Sequence, residues 1–253
     1  DGTYAEAHSI EYIEALKNGR LSDKEMRAIG FKYSPELIER EMTIASGTIA
    51  GALWALDNQT ISMNIAGGTH HAYTNKGEGF CILNDQAIAA KLLVNHGYVK
   101  RVAIIDLDVH QGNGTAQICA NDERIFTFSM HGAKNYPFKK EKSDWDIGLE
   151  NGTTDATYLN TLQYALNKIL TDFSPEFVFF QSGVDILSTD KLGHLSLSIE
   201  GCKKRDQLVI NKCREQLIPM TICMGGGYSP DLEDILEAHL NTYRVANKAL
   251  KMT

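Results

Sequence analysis

Proline, cysteine and long apolar runs are all scarce in this chain of 253 residues, which has five prolines and five cysteines. Cys81, Cys119, Cys202, Cys213 and Cys223 are odd in number, widely spaced and form no C-x-x-C pair. That pattern argues against a disulfide framework and a thiolate zinc site, and it fits a reducing compartment. No apolar stretch approaches the roughly 20 residues that a bilayer crossing requires. The opening Asp1 to Glu6 also lacks the basic and apolar regions of a secretory signal. A cytoplasmic protein, also nuclear if eukaryotic, with no membrane association is the expectation. Basic residues are in deficit, 25 Lys and Arg against 32 Asp and Glu, for a formal charge of -7. Such a balance argues against direct nucleic-acid binding, which draws on a cationic face. It is compatible with a cationic substrate and also with ordinary solubility. Linkers, low-complexity segments and internal repeats are missing too, so residues 1–253 read as a single domain large enough for a sizeable α/β core.

What is present is a succession of apolar strands and helical stretches. Ser34 and Pro35 form an N-cap and N1 pair for a helix reaching about Leu56, and Ser62 to Ala66 reads as a short strand. A helix from Asn84 or Asp85 to about Asn95 precedes the strand Val102 to Asp106. Arg124 to Met130 is a further strand, rich in aromatic and β-branched residues, and His131 to Gly152 reads as a loop. The helix from Thr153 or Thr154 to about Leu170, the strand Phe177 to Gln181, the helix Ile199 to Gln216, the strand Met220 to Met224 and a last helix over Leu232 to Leu250 complete the order. Continuous rather than alternating apolar strands imply a parallel sheet covered on both faces. Four strands then run into polar or glycine-rich segments, and a parallel sheet gathers those segments at one edge.

At that edge the residue types carry chemistry. Asp108 and His110 are two apart after one strand, so their side chains point the same way. With Asp185 after another strand, they make a three-ligand set that leaves room for water, as a catalytic zinc site requires. A D-x-H pair alone is more often a capping Asp and a hydrogen-bonded core histidine than a metal site; the company of Asp185 and of His70-His71 after Gly67-Gly68 favours a metal. Paired histidines can exchange protons near neutral pH, with Asp106 and Asn113 as candidate partners that set tautomer and orientation. Gly225-Gly226-Gly227-Tyr228 brings backbone close to a ligand and presents a phenol that can donate to an oxyanion.

Taken together, Gly68-Thr-His70-His71-Ala, Gly79-Phe80-Cys81-Ile-Leu-Asn84-Asp85, Ile105-Asp106-Leu-Asp108-Val-His110-Gln-Gly112-Asn113-Gly114-Thr115, Ser182-Gly183-Val-Asp185 and Gly225-Gly-Gly-Tyr228 resemble the zinc-dependent histone deacetylase superfamily. The runs from Asp185 to Ser198 and around His8 look most like its class IV. This resemblance implies an arginase/deacetylase-like α/β fold, an open parallel sheet with helices on both faces. It implies zinc, with iron(II) as the alternative, on Asp108, His110 and Asp185. His70 and His71 would flank the attacking water, Tyr228 would bond the substrate carbonyl, Asp106 would orient His70 and Asn113 would contact His71. Class I members usually have Asp at the position of Asn113, which would make His71 less basic here. Gly79, Phe80, Tyr136 and Leu192, with Gly226, match the walls that hold an acyl-lysine stem, and Asp106 with Ser129 corresponds to a structural potassium site. The family's first strand and loops, which precede the His8 segment, are expected to be missing from this domain.

The function so implied is metal-assisted hydrolysis of the amide between an acyl group and a lysine side-chain amine in a protein or peptide. An acetylated polyamine is the alternative substrate, and a non-catalytic acyl-lysine binding protein is the competitor from another class. A two-metal ureohydrolase of the arginase type is disfavoured, because Gln111 and Gly112 follow His110 where further ligands would stand.

Overall fold

A computed structural model describes residues 2–251. Six strands form one sheet: β1 (Ile61–Asn64), β2 (Val102–Asp106), β3 (Ile125–Gly132), β4 (Trp145–Leu149), β5 (Phe177–Gln181) and β6 (Met220–Cys223). Their spatial order is β1-β6-β5-β2-β3-β4, and every pairing is parallel. The central strands β2, β5 and β6 are buried throughout because both faces are covered. Val102 and Ile104 of β2 turn to a cluster with Phe177 and Phe179, whereas Ala103 and Ile105 turn to another with Val178 and Phe180. Against the first face pack α1 (Ile10–Lys17), α2 (Asp23–Ile29), α3 (Pro35–Asp57), α4 (Asp85–Asn95) and α5 (Asn113–Cys119). Against the second pack α6 (Asp155–Lys168), α7 (Ile199–Glu215) and α8 (Leu232–Leu250).

The winding follows from handedness. From β2 the chain moves outward to β3 through α5, and from β5 it moves the opposite way to β6 through α7. Right-handed crossovers in opposite directions must place their helices on opposite faces, and α5 and α7 do lie in different clusters. Between β2 and β5 the direction of winding reverses, and an open α/β sheet leaves a crevice at the carboxyl end of such a switch point.

The helix starts follow local chemistry. Ser34 accepts from the Leu37 N–H with Pro35 at the first helical position, and Asn84 accepts from the Ala87 N–H. Ser22 and Glu25 form a reciprocal capping box on α2, which closes at Gly30 in the left-handed region.

Four sequence expectations need correction. The stretch His131 to Gly152 is not all loop, since Trp145–Leu149 is β4, paired from Phe128↔Trp145 to Gly132↔Leu149. As an edge strand interrupted by Asp146 and Gly148 it has little apolar pattern of its own, and only its partner reveals it. For the same reason β3 runs on to Gly132 rather than stopping at Met130. The strand expected at 62–66 is Ile61–Asn64, because the Asn64 side chain turns back to accept from the Ala66 N–H at 3.1 Å. The helix expected to reach Leu170 ends at Lys168 and widens into a π-helical turn over Ile169–Phe173.

Candidate metal and acyl-lysine site

The switch-point crevice brings together the three residues expected to hold a metal. Asp108 and His110 lie just past β2, and Asp185 lies just past β5; one ligand atom from each falls within 4.8 Å of the others, and all three are buried. The imidazole Nδ1 of His110 is 3.1 Å from Asp108 Oδ1 and 3.2 Å from Asp185 Oδ2. Backbone N–H groups hold the carboxylates in place. Gly226 donates to Asp108 Oδ2 at 3.0 Å, Val109 donates to Asp185 Oδ1 at 2.9 Å, and His110 donates to Asp108 Oδ1 at 3.0 Å. Metal-ligating carboxylates are oriented by donors of this kind. Burial and the neighbouring Asp108 carboxylate push Asp185 up to about 7, the expected response of two buried carboxylates that face one another. Two carboxylates and one imidazole with open space before them suit zinc or iron(II).

Around this set stand the paired histidines. Loop residues 67–71 leave β1 and are gripped by Asp85 at the start of α4. Its carboxylate accepts from the Gly68 N–H at 3.1 Å and from the Thr69 N–H at 2.9 Å. His70 Nδ1 donates to Asp106 Oδ2 at 2.6 Å, and its Nε2 lies 3.9 Å from Asp108 Oδ1. Burial opposes a charge on His70, but Asp106 and Asp108 override it and raise the imidazole to about 9.

His71 is placed differently. Its Nδ1 is 2.7 Å from Asn113 Oδ1, while Asn113 Nδ2 donates to Glu78 Oε1 at 2.7 Å and to the Tyr73 hydroxyl at 3.0 Å. A carboxylate oxygen can only accept from the amide, so Glu78 fixes which end of Asn113 faces His71. His71 must therefore carry its proton on Nδ1, which leaves the Nε2 lone pair free. Burial, then the neighbouring His70, lowers His71 well below the ordinary histidine value.

These groups open into a cavity of about 410 Å³ lined by His71, Gly79, Phe80, His110, Tyr136, Leu192 and Tyr228, among others. The Tyr136 ring stands perpendicular to His71 with centroids 5.0 Å apart, and its hydroxyl donates to Glu78 at 2.6 Å. Tyr228 lies edge-on to His110, 6.4 Å between centroids. Burial and the nearby Asp108 raise its hydroxyl, which stays protonated and able to donate. The C-terminal end of α2 sets the opposite wall, where Ala28 and Ile29 carbonyls accept from the Gly79 and Phe80 N–H groups at 3.1 and 2.7 Å. Gly79 adopts φ +56°, and a Cβ there would lie 2.8 Å from the His71 ring, so the close approach of backbone to imidazole depends on glycine. Gly226 sits under Asp108 and Asp185 as a donor and is not among the wall residues. Ser129 pairs in register with Asp106, and its hydroxyl bonds His131 Nδ1 at 2.9 Å.

Two supports escaped the sequence reading. Glu78 lay in a glycine-flanked loop that reads as surface. Arg205, fully buried on α7, donates to the carbonyls of Leu107 (3.3 Å), Ser182 (3.1 Å) and Gly183 (2.9 Å) and is 2.7 Å from Asp206. It thereby ties together the two loops that carry Asp108 and Asp185. An Arg-Asp pair on the inward face of an amphipathic helix was the signal available for it.

Comparison with known proteins agrees with the geometry. A family model described as "Histone deacetylase domain" matches residues 2–243. An uncharacterised protein of Picosynechococcus sp. is 41% identical over 94% of this chain and 79% of its own length. Histone deacetylase 2 of Arabidopsis thaliana is 32% identical over 87% of this chain and 59% of its own length, and the acetoin utilization protein AcuC of Staphylococcus aureus is 29% identical over 87% and 62%. The chain thus spans about three fifths of these last two relatives. No helix among the described residues is long and apolar enough to cross a membrane.

Proposed function

This chain belongs to the histone deacetylase family, and from that premise we propose that it is a metal-dependent hydrolase that removes acyl groups from the side-chain amine of lysine in proteins or peptides. The observation that carries the reading is the buried cluster of Asp108, His110 and Asp185 ligand atoms, of which His110 lines the cavity together with His71, whose Nε2 is free, and Tyr228. A zinc or iron(II) ion held by that trio would polarise the amide carbonyl and acidify a water molecule. His71, neutral and anchored through Asn113 and Glu78, takes the proton from the attacking water at Nε2. Tyr228 donates to the carbonyl oxygen as negative charge builds there. His70, held by Asp106, supplies positive charge beside the reacting atoms, and a histidine proton passes to the departing lysine amine. Tyr136 and Phe80 border the stem of the acyl-lysine and keep water away from it. The runs from Asp185 to Ser198 and around His8 support a place in class IV.

The test is hydrolysis of a fluorogenic acyl-lysine peptide by the purified chain, before and after a strong chelator and after restoring zinc or iron(II). Turnover abolished by the chelator and recovered with metal is the expected result. Hydrolysis untouched by complete metal removal overturns the proposal.

A further inference from the structure

The chain is acidic as a whole, yet the mouth of its cavity is not. Arg27 of α2 and Lys134 of the β3–β4 connection line the cavity on different elements, with His194 between the β5 and α7 segments as a third basic group. Among the described residues no carboxylate lines the cavity with them. Arg27 and Lys134 are exposed and form no ion pair among the described residues. The stretch 133–142 holds Lys134, Lys139, Lys140 and Lys142 against Glu141 alone, so its charge opposes that of the rest of the chain.

The carboxylates within two residues of Gly79, Leu192 and Arg27 in sequence already have hydrogen-bond partners. Glu78 accepts from Asn113, Tyr136 and Lys76. Asp190 takes the N–H groups of Leu192 and Gly193 at 2.8 Å on one oxygen and that of Tyr228 at 2.6 Å on the other. Glu25, two residues before Arg27, is turned back into the capping box of Ser22. An acetylated polyamine carries its ammonium groups along the chain on the amine side of its amide, the side that faces the cavity mouth when the acetyl group leads. To enter, it would have to place them against Arg27 and Lys134, and like charges across an interface discriminate against the wrong partner.

Resting on the acyl-lysine reading above, we propose that the rim formed by Arg27 and Lys134 selects an acyl-lysine flanked by acidic side chains, and rejects acetylated polyamines and acyl-lysines set among other lysines. The flanking Asp or Glu side chains of the substrate meet the two cations while the acyl-lysine stem passes between Phe80 and Tyr136. The contribution is electrostatic and sits at an exposed rim, so it weakens as salt rises.

Binding decides it without turnover. Fluorescence anisotropy is measured with three labelled acetyl-lysine peptides, flanked by Glu, by Gln or by Lys, with unlabelled acetylspermidine as competitor, on the wild type and on an Arg27→Glu/Lys134→Glu variant whose melting curve is checked. We expect the Glu-flanked peptide to bind at least tenfold more tightly than the Lys-flanked one at low salt, acetylspermidine to compete weakly, and the double variant to reverse the order. Equal binding of the three peptides, or tighter binding of the Lys-flanked peptide or acetylspermidine by the wild type, overturns the inference. Hydrolysis of the Gln-flanked peptide is followed on the same preparation. Turnover without an acidic preference sinks the rim proposal alone, whereas acidic preference in binding with no hydrolysis of any peptide leaves the rim standing and sinks the hydrolase reading.

Discussion

Tyr228 contributes a single hydroxyl, and its backbone rather than its ring is what the neighbouring loop holds, through Asp190. Replacing it as Tyr228→Phe keeps the ring against His110 and deletes only the donor. The expected outcome is a fall in kcat of about a hundredfold or more, with KM changed far less, because the lost interaction strengthens only as charge develops on the carbonyl oxygen. Steady-state kinetics on an acyl-lysine peptide measure it, and an unaltered kcat would remove Tyr228 from the chemistry. Also at the scale of single residues, Asn113 is a neutral group bonded to His71, the imidazole proposed as the base. The resemblance implied a less basic His71, because no acid stands at 113. The structure puts the Glu78 carboxylate one hydrogen bond further out, where it fixes the amide and hence the tautomer of His71.

Among the elements, α7 carries more than packing. Arg205 is fully enclosed and bonds carbonyls from both the β2 and β5 exit loops. Arg205→Met leaves Asp206 buried without its cation, which costs roughly 3–5 kcal/mol, measurable by urea denaturation. Adding Asp206→Leu removes the stranded charge and should return most of that stability. The carbonyl clamp stays absent in the double variant, so its metal affinity, titrated with a chromophoric competitor, should remain below wild type. Recovery of stability and metal affinity together would show that Arg205 serves the fold and not the ligand loops.

For the whole molecule, three buried histidines set a limit on acid tolerance. His8 accepts from the Asn84 N–H at Nε2, 2.9 Å, and therefore donates from Nδ1 to the Tyr73 carbonyl, 2.9 Å. A second proton would set N–H against N–H. Burial lowers His8 to about 4, and it lowers His131 and His239 to about 4 as well. Since the unfolded chain takes up these protons near 6.5, stability is fully present above that pH and is lost as pH falls from about 6.5 toward 4. His8 alone accounts for something on the order of 3 kcal/mol across that window. Thermal melts at successive pH values should show Tm dropping between pH 6.5 and 4.5, and a His8→Gln variant should show a shallower drop. A Tm independent of pH over this range would contradict the burial of neutral imidazoles.

The sequence by itself determined the alternation of strands and helices, the parallel character of the sheet and the residue types gathered at its carboxyl edge, because apolar runs and strand-end positions are local properties of the chain. Asp108, His110, Asp185, His70, His71 and Tyr228 could be singled out before any coordinates, since each follows a strand or a glycine turn. Only the tertiary structure decided the rest. The strand Trp145–Leu149 exists through pairing with β3, the switch point exists through the order in which strands were laid down, and Glu78, Arg205, Arg27 and Lys134 are brought beside the site by neighbours far along the chain. The physical reason is range: backbone periodicity is written within a few residues, whereas the partner of a buried charge and the charge around a cavity mouth are set by contacts that no local pattern encodes.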